Sequence, residues 1–322
     1  MSNRFNNKRQ IYILSALLII LLVTVVIKIP RQKSTIREYL VSFDSSEVVK
    51  IAVTPRASAG NPFDFSKDNG NWMLKQGNIT AKPAKNALKN IFSEILELKP
   101  QSLIATDKSQ WKEYDLTDSL ANRLQFYNKK DKPIADLMIG RISFRQVRNS
   151  NMQGGNNVEG TSYVRLSNDS RIYAVEGFLA LSFSGKFDDW RDRSFIRSKK
   201  EDILKIVFIC PGDSSFTLTN NGQRWTIGEQ VADSVKVSDY LNKISYLDGE
   251  EFADGFKPIS NPEYTIMVEG NNLLNFNVKC YPDQPSGTFY LNSSLNPDLY
   301  FMSKPDGIFG QIVKSKKYFL DK

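Results

Sequence analysis

The chain has 322 residues, 41% of them hydrophobic, with 18 Gly and 13 Pro. That is material for about two packed domains, and neither a disordered nor a fibrous composition fits it. The formal charge is +8, of which residues 1–30 hold +4 through Arg4, Lys8, Arg9 and Lys28; no Lys/Arg cluster is interleaved with aromatics, so nucleic acid is not an expected partner.

Residues 11–27, IYILSALLIILLVTVVI, carry no charge. As a helix they would rise about 26 Å, near the ~30 Å hydrocarbon thickness of a bilayer. Lys28 can snorkel and extend the usable contact to 11–29. The run ends in bulky TVVIKIPR rather than a small-x-small cleavage site, and the first cysteine, Cys210, lies far too late for a lipoprotein. An uncleaved anchor over residues 1–30 is therefore expected. Arg4, Lys8 and Arg9 precede the run, and Lys28, Arg31, Lys33 and Arg37 follow it, so the positive-inside rule is nearly balanced. A short basic tail kept inside favours a single-pass inner-membrane protein with its bulk in the periplasm.

Beyond the anchor the chain writes one pattern twice. The first copy opens with the buried-strand run VVKIAVT (48–54). Phe63 and Phe65 then alternate before Asn69-Gly70, and Trp72 and Leu74 after it, the signature of a two-residue hairpin. Ala84, Ala87, Leu88, Ile91, Phe92 and Ile95 form a helical stripe, with Pro83 suited to its first turn. Two strands and a turn follow in 123–140, then an insertion at 140–161, then SYVRLSNDSRIYAV (162–175). A charged stretch at 189–202 reads as an exposed linker.

The second copy repeats the order: ILKIVFIC (203–210), Phe216 and Leu218 before Asn221-Gly222, and Trp225 and Ile227 after it. Val237, Tyr240, Leu241, Ile244 and Leu247 make the second helical stripe, followed by strands in 264–280 and 288–302. Trp72 and Trp225 stand 153 residues apart, as do Leu88 and Leu241, whereas Tyr173 and Tyr300 stand 127 apart, so the second copy lacks the insertion. The expected architecture is α+β: two tandem, mostly antiparallel sheets with one amphipathic helix each, over residues 31–190 and 191–322.

Little chemistry is written on this frame. The chain has no histidine and two cysteines, which removes imidazole-based nucleophile systems and any four-thiolate metal site. No cofactor, metal or catalytic residue is expected. Ser184-Gly185-Lys186 lacks the rest of a phosphate loop, with Phe187 where Ser or Thr should stand. Asp64, Ser66 and Asp68 alternate as in a calcium loop but belong to a hairpin strand. Asp188, Asp189 and Asp192 around Trp190, and Glu250-Glu251, read as solvated acids. Cys210 and Cys280 end two strands; they could pair in an oxidising compartment or stay as free thiols. The insertion, with Arg141, Phe144, Arg145 and Arg148, is the candidate partner-binding segment, read as an exposed, mobile loop.

FDSSEVVKIAV (43–53), GNWMLKQ (70–76), WKEYDL (111–116), SYVRLSNDSRIYAV (162–175) and DWRDRSF (189–195) together resemble domain-of-unknown-function family 4340, a bacterial membrane-anchored family. The resemblance covers most of residues 36–320. One departure is Asp115, where the family pattern has glycine. The resemblance implies an extracytoplasmic accessory of an ABC transporter of the gliding-motility type, with transporter subunits or other envelope proteins as partners and no catalytic residues. The reading on sequence is thus a non-enzymatic binding ectodomain. The rivals are an envelope glycan-binding module with exposed aromatics and a glycan hydrolase with carboxylates converging in a cleft.

Overall fold

A computed structural model describes residues 12, 17–18, 38–56, 61–148 and 156–320. The apolar run 11–27 lies outside the described residues except for Tyr12, Leu17 and Leu18, which are helical and exposed. Among the described residues no helix is long and apolar enough to cross a membrane.

The chain is α+β and rich in antiparallel sheet. Strands β1 (Val48–Thr54), β2 (Phe63–Asp68), β3 (Asn71–Gln76) and β4 (Ile79–Ala81) precede helix α1 (Ala87–Leu96). Then come β5 (Pro100–Ala105), β6 (Asn122–Asn128), β7 (Pro133–Arg148), β8 (Asn156–Leu166), β9 (Ile172–Glu176) and the single turn α2 (Leu179–Ser182). These nine strands form one sheet in the order β4-β3-β2-β1-β6-β7-β8-β9-β5.

The pattern then recurs. After β10 (Ser194–Arg197) come β11 (Ile203–Ile209), β12 (Phe216–Asn220), β13 (Trp225–Ile227), β14 (Gln230–Val231) and helix α3 (Ser234–Ser245). They are followed by β15 (Tyr246–Asp248), β16 (Glu251–Phe252), β17 (Tyr264–Gly270), β18 (Phe276–Asp283), β19 (Thr288–Ser293) and β20 (Tyr300–Ser303), with α4 (Ile308–Ile312) and α5 (Lys316–Leu320) closing the chain. The second nine-stranded sheet runs β14-β13-β12-β11-β17-β18-β19-β20-β16, position for position the order of the first. β10 pairs separately with β15.

The central strands explain the apolar runs. Ile51 on β1 lies between Phe65 and Phe126, and Ile206 on β11 lies between Leu218 and Val268; all six side chains are buried. A strand with neighbours on both sides and a covered face gathers β-branched residues of this kind.

Three local expectations change. Asn69 and Gly70 have φ of 48° and 85°, the pair of left-handed residues that an Asn-Gly hairpin turn requires. The second Asn-Gly does not form that turn. Asn220 pairs with Trp225, leaving four loop residues, and only Gly222 has positive φ, because two residues rather than one separate glycine from tryptophan. Second, α1 begins at Ala87, since Pro83 bridges to Arg191 and the Ala84 N–H donates to the Trp190 carbonyl at 2.7 Å. Third, 189–202 is not an exposed linker: it contributes β10 and the buried Arg191.

Contact density divides the chain into two compact units, residues 1–67 with 88–186, and 68–87 with 187–322. The second helix is set by a cap. Asp233 accepts hydrogen bonds from the N–H groups of Val235 and Lys236 at 2.9 and 3.0 Å, and Val237, Tyr240, Leu241 and Ile244 face the core. Asp233→Ala is expected to lower stability by about 1 kcal/mol in urea unfolding, with the slope unchanged, because it orphans helix N–H donors. Unchanged stability would mean that core packing alone starts the helix.

Candidate functional site

Over its described residues the insertion is a regular antiparallel arm rather than a loop; its tip, 149–155, lies outside the described residues. β6 follows β7 only as far as the Asn122–Ile139 pair. At Gly140 the register shifts, and the Arg141 N–H donates to the Tyr114 carbonyl at 3.1 Å. From Ile142 opposite Ser162 the two strands continue in unbroken register to Arg148 opposite Asn156. The extension therefore stands on a base made by the turn at 111–116. A β-carbon on Gly140 would lie 2.1 Å from the Tyr114 carbonyl oxygen. The Arg141 guanidinium sits 5.2 Å from the Tyr114 ring centre, and that ring packs on Tyr163 at 4.7 Å.

The structure separates the candidate residues by face. Arg145 lies opposite Glu159 and donates to its carboxylate at 2.7 Å. That hydrogen bond holds the Arg145 pKa above its ordinary value. Phe144 points to the other face, as alternation requires. It is 57% exposed, with its ring 6.0 Å from that of Phe178. Phe178 lies so close over Gly160, the residue paired with Phe144, that a β-carbon there would meet the ring at 2.7 Å. Val158 shares the Phe144 face and is 47% exposed. Arg148 ends β7, with its side chain outside the described set.

The other candidates resolve into structure. Asp64, Ser66 and Asp68 lie along β2. The Ser184 hydroxyl bonds the Leu181 carbonyl at the end of α2. Cys210 and Cys280 are free thiols. β17 runs between their strands, since Ile209 pairs with Thr265 and Cys280 with Tyr264. Two strand spacings amount to about 9.5 Å, against a disulfide reach of about 7 Å between α-carbons. Burial pushes the Cys280 thiol pKa well up.

Two grooves occupy matching places in the two sheets. One, of about 580 Å³, lies by Ser198, Leu273 and Leu295; the other, of about 370 Å³, lies by Ser42, Ile134 and Ser167. Each has a single lining carboxylate, Asp202 or Asp136, and Arg123 grips Asp136 through two bonds of 3.0 and 2.6 Å. A third groove, of about 510 Å³ beside Phe178, is lined by Glu94, Glu97 and Glu176. Among the described residues no cluster of acids, cysteines or histidines is tight enough to hold a metal ion.

Residues 72–266, three fifths of the chain, match the family described as Domain of unknown function (DUF4340). The chain belongs to this family. No curated protein and no solved structure shows a detectable match to it.

Three of the stretches singled out in sequence take part in two buried-arginine frames. In the first, Arg165 of SYVRLSNDSRIYAV lies 3.6 Å over the Trp111 ring of WKEYDL. Its Nε donates to the Leu116 carbonyl at 2.9 Å, and Nη1 donates to the carbonyls of Leu166 and Ser167. Burial pulls its pKa down, opposed by Asp118 at 3.3 Å and by Asp136. In the second, Arg191 of DWRDRSF has a side chain 2% exposed. It makes paired bonds of 2.6 and 2.7 Å to Asp254 and one of 2.9 Å to Asp188, and it stacks 3.5 Å from the Phe252 ring. Burial opposes its charge, but Asp254 and then Asp188 outweigh it and raise the pKa.

Of the acids around Trp190, Asp188 and Asp189 are exposed, as expected, although Asp188 also accepts from Arg191; Asp192 is half-buried and accepts from the Ser194 N–H at 2.9 Å. Asp115 suits a place where glycine was expected. Its φ is 55°, a backbone state glycine reaches without strain and aspartate tolerates, and its carboxylate pairs with Arg56 at 3.1 Å. Sequence reasoning missed Arg165, Arg191 and Asp254. The available signal was an arginine beside aromatic residues in each motif.

Proposed function

We propose that this DUF4340 chain is a non-enzymatic accessory protein of the cell envelope. It is held in the inner membrane by 11–29, with the bulk of the chain in the periplasm, and its β7–β8 arm docks on a membrane or envelope protein. The partner class it fits is a subunit of an ABC transporter, of the gliding-motility type that the motif resemblance suggests. The two nine-stranded sheets are read as copies of one ancestral unit, which the identical strand orders support.

The observation that carries the reading is the arm. It projects past the last β6 pair, presents Phe144 and Val158 to solvent, and has no counterpart in the second sheet, where β18 and β19 close over residues 284–287. Apolar side chains held out to solvent on a regular ribbon mark contact surfaces rather than chemistry.

The test is to purify the full chain from native membranes beside a variant in which 143–158 is replaced by a short turn. Co-purifying envelope proteins are expected to be lost from the variant while its melting temperature stays within a few degrees. Retained partners would leave the arm without a docking role. A periplasm-only reporter fused after Lys322 is expected to be active; a silent one would overturn the location.

A second reading rests on the groove of Glu94, Glu97 and Glu176 beside Phe178. Acids lining a cleft next to an exposed aromatic suit a glycan. Release of reducing ends from envelope polysaccharide, abolished by Glu94→Gln, Glu97→Gln or Glu176→Gln, would favour it over the accessory reading.

A further inference from the structure

The outermost strands of both sheets are short or broken. β4 has three residues, and β14 and β16 have two each. β5 has six, but it begins at Pro100 and its register shifts twice. Short, bulged or proline-bearing edges are how sheets avoid pairing with foreign strands. The outer side of β7 departs from this. Among the described residues no strand pairs with it beyond Ile139, so Ile142–Arg148 offers seven residues of open edge in regular register, about 23 Å long. An isolated two-stranded ribbon is marginal in water, whereas this one is fixed at its base by Tyr114 and flanked by Phe178.

We propose that the outer edge of β7, Ile142–Arg148, is a strand-addition site that takes an extended acidic segment of another protein as an extra antiparallel strand. The proposal rests on the docking role of the arm and specifies its mode and partner chemistry. Main-chain hydrogen bonds supply affinity in such additions, and side chains supply selectivity. Selectivity here is set by charge. Arg141, Arg145 and Arg148 against Glu159 give the arm +2. Arg145 spends one nitrogen on Glu159, and its guanidinium has further N–H donors for an incoming carboxylate. A second copy is disfavoured: in their longest antiparallel overlap two such edges set Arg145 against Arg145, and like charges directly opposite destabilise a ladder. Phe144 and Val158 add apolar contact on the other face.

The probe is a nine-residue peptide of alternating Glu and Val, compared with its Lys-Val counterpart, on detergent-solubilised full-length protein. The Glu peptide is expected to slow amide exchange within 142–148 and to bind at least about ten-fold tighter than the Lys peptide, the gap closing as added salt screens the charges. Proline variants Gln146→Pro and Val147→Pro separate edge from fold. Successive N–H groups point to opposite sides of a strand, so one variant breaks the β7–β8 ladder and the other removes only an outward donor. The variant that keeps the melting temperature is expected to lose the peptide about ten-fold or more. Protection elsewhere than 142–148, equal binding of both peptides, or full binding by the stable proline variant would each overturn the proposal. So would a dimer that the same variant dissolves, since the occupant would then be a second copy. If the stable proline variant still co-purifies every native partner, strand addition fails while docking by the arm stands; loss of all partners from the wild type defeats the docking role itself.

Discussion

Gly140→Val is expected to destabilise the protein by about 3 kcal/mol or more, at the upper end of overpacking effects. The reason is space rather than backbone freedom. The first side-chain carbon at this position would lie 2.1 Å from the Tyr114 carbonyl oxygen and 2.9 Å from Leu116 Cγ. The oxygen is backbone and already accepts the Arg141 N–H, so it cannot swing away as a flexible side chain would. Relief requires the 111–116 turn to lift off β7, which would carry Trp111 away from Arg165. Gly140→Ala should show a smaller loss of the same kind. The measurement is urea unfolding followed by tryptophan fluorescence; a valine variant within about 1 kcal/mol of wild type would show that the turn does not clamp the base of the arm.

Arg165→Ala is the second large effect, about 3 kcal/mol. The guanidinium feeds the carbonyls of Leu116, Leu166 and Ser167 and covers the Trp111 ring. Alanine removes those donors, leaving the Leu166 carbonyl only the Asp169 N–H, and opens a cavity beside an indole. Arg165→Lys separates charge from shape. An ammonium keeps the cation but not the planar fork, so the lysine variant should still lose about 2 kcal/mol. Near-neutral behaviour of lysine would mean that charge alone matters. Both variants should shift Trp111 emission in the folded state, because the cation lies directly on that ring.

The parts of this fold that were legible in sequence are those ruled by local periodicity. Ile51, Phe65 and Leu74, like Ile206, Leu218 and Ile227, announce buried strand faces by alternation or β-branched runs, and the structure buries all six. Val237, Tyr240, Leu241 and Ile244 announce a helix face in the same way. What stayed hidden depends on residues distant in sequence. Nothing near DWRDRSF shows that Arg191 meets Asp254, 63 positions away. Nothing in the Gly/Asn-rich insertion shows that β7 runs unbroken to Arg148, because Gly140 and the tip residues read as loop while the ladder is set across the arm by β8. The four candidate arm residues were found together in sequence, but strand alternation places Phe144 and Arg145 on opposite faces, so they cannot form one patch.

The shared strand order also dictates a timetable for folding. In each sheet the first strand made becomes an interior one: β1 must wait for β6, with Ile51 meeting Phe126, and β11 must wait for β17, with Ile206 meeting Val268. β5 waits as well, since its partner β9 is made last, and Leu103 pairs with Tyr173. Closing contacts this far apart in sequence is slow compared with forming a hairpin. During synthesis the β1–β2 hairpin, complete at Asp68, therefore stands with the flank of β1 uncovered until β6 at Asn122–Asn128 has emerged. Ribosome-bound chains ending before Asn122 should be the ones most in need of a chaperone.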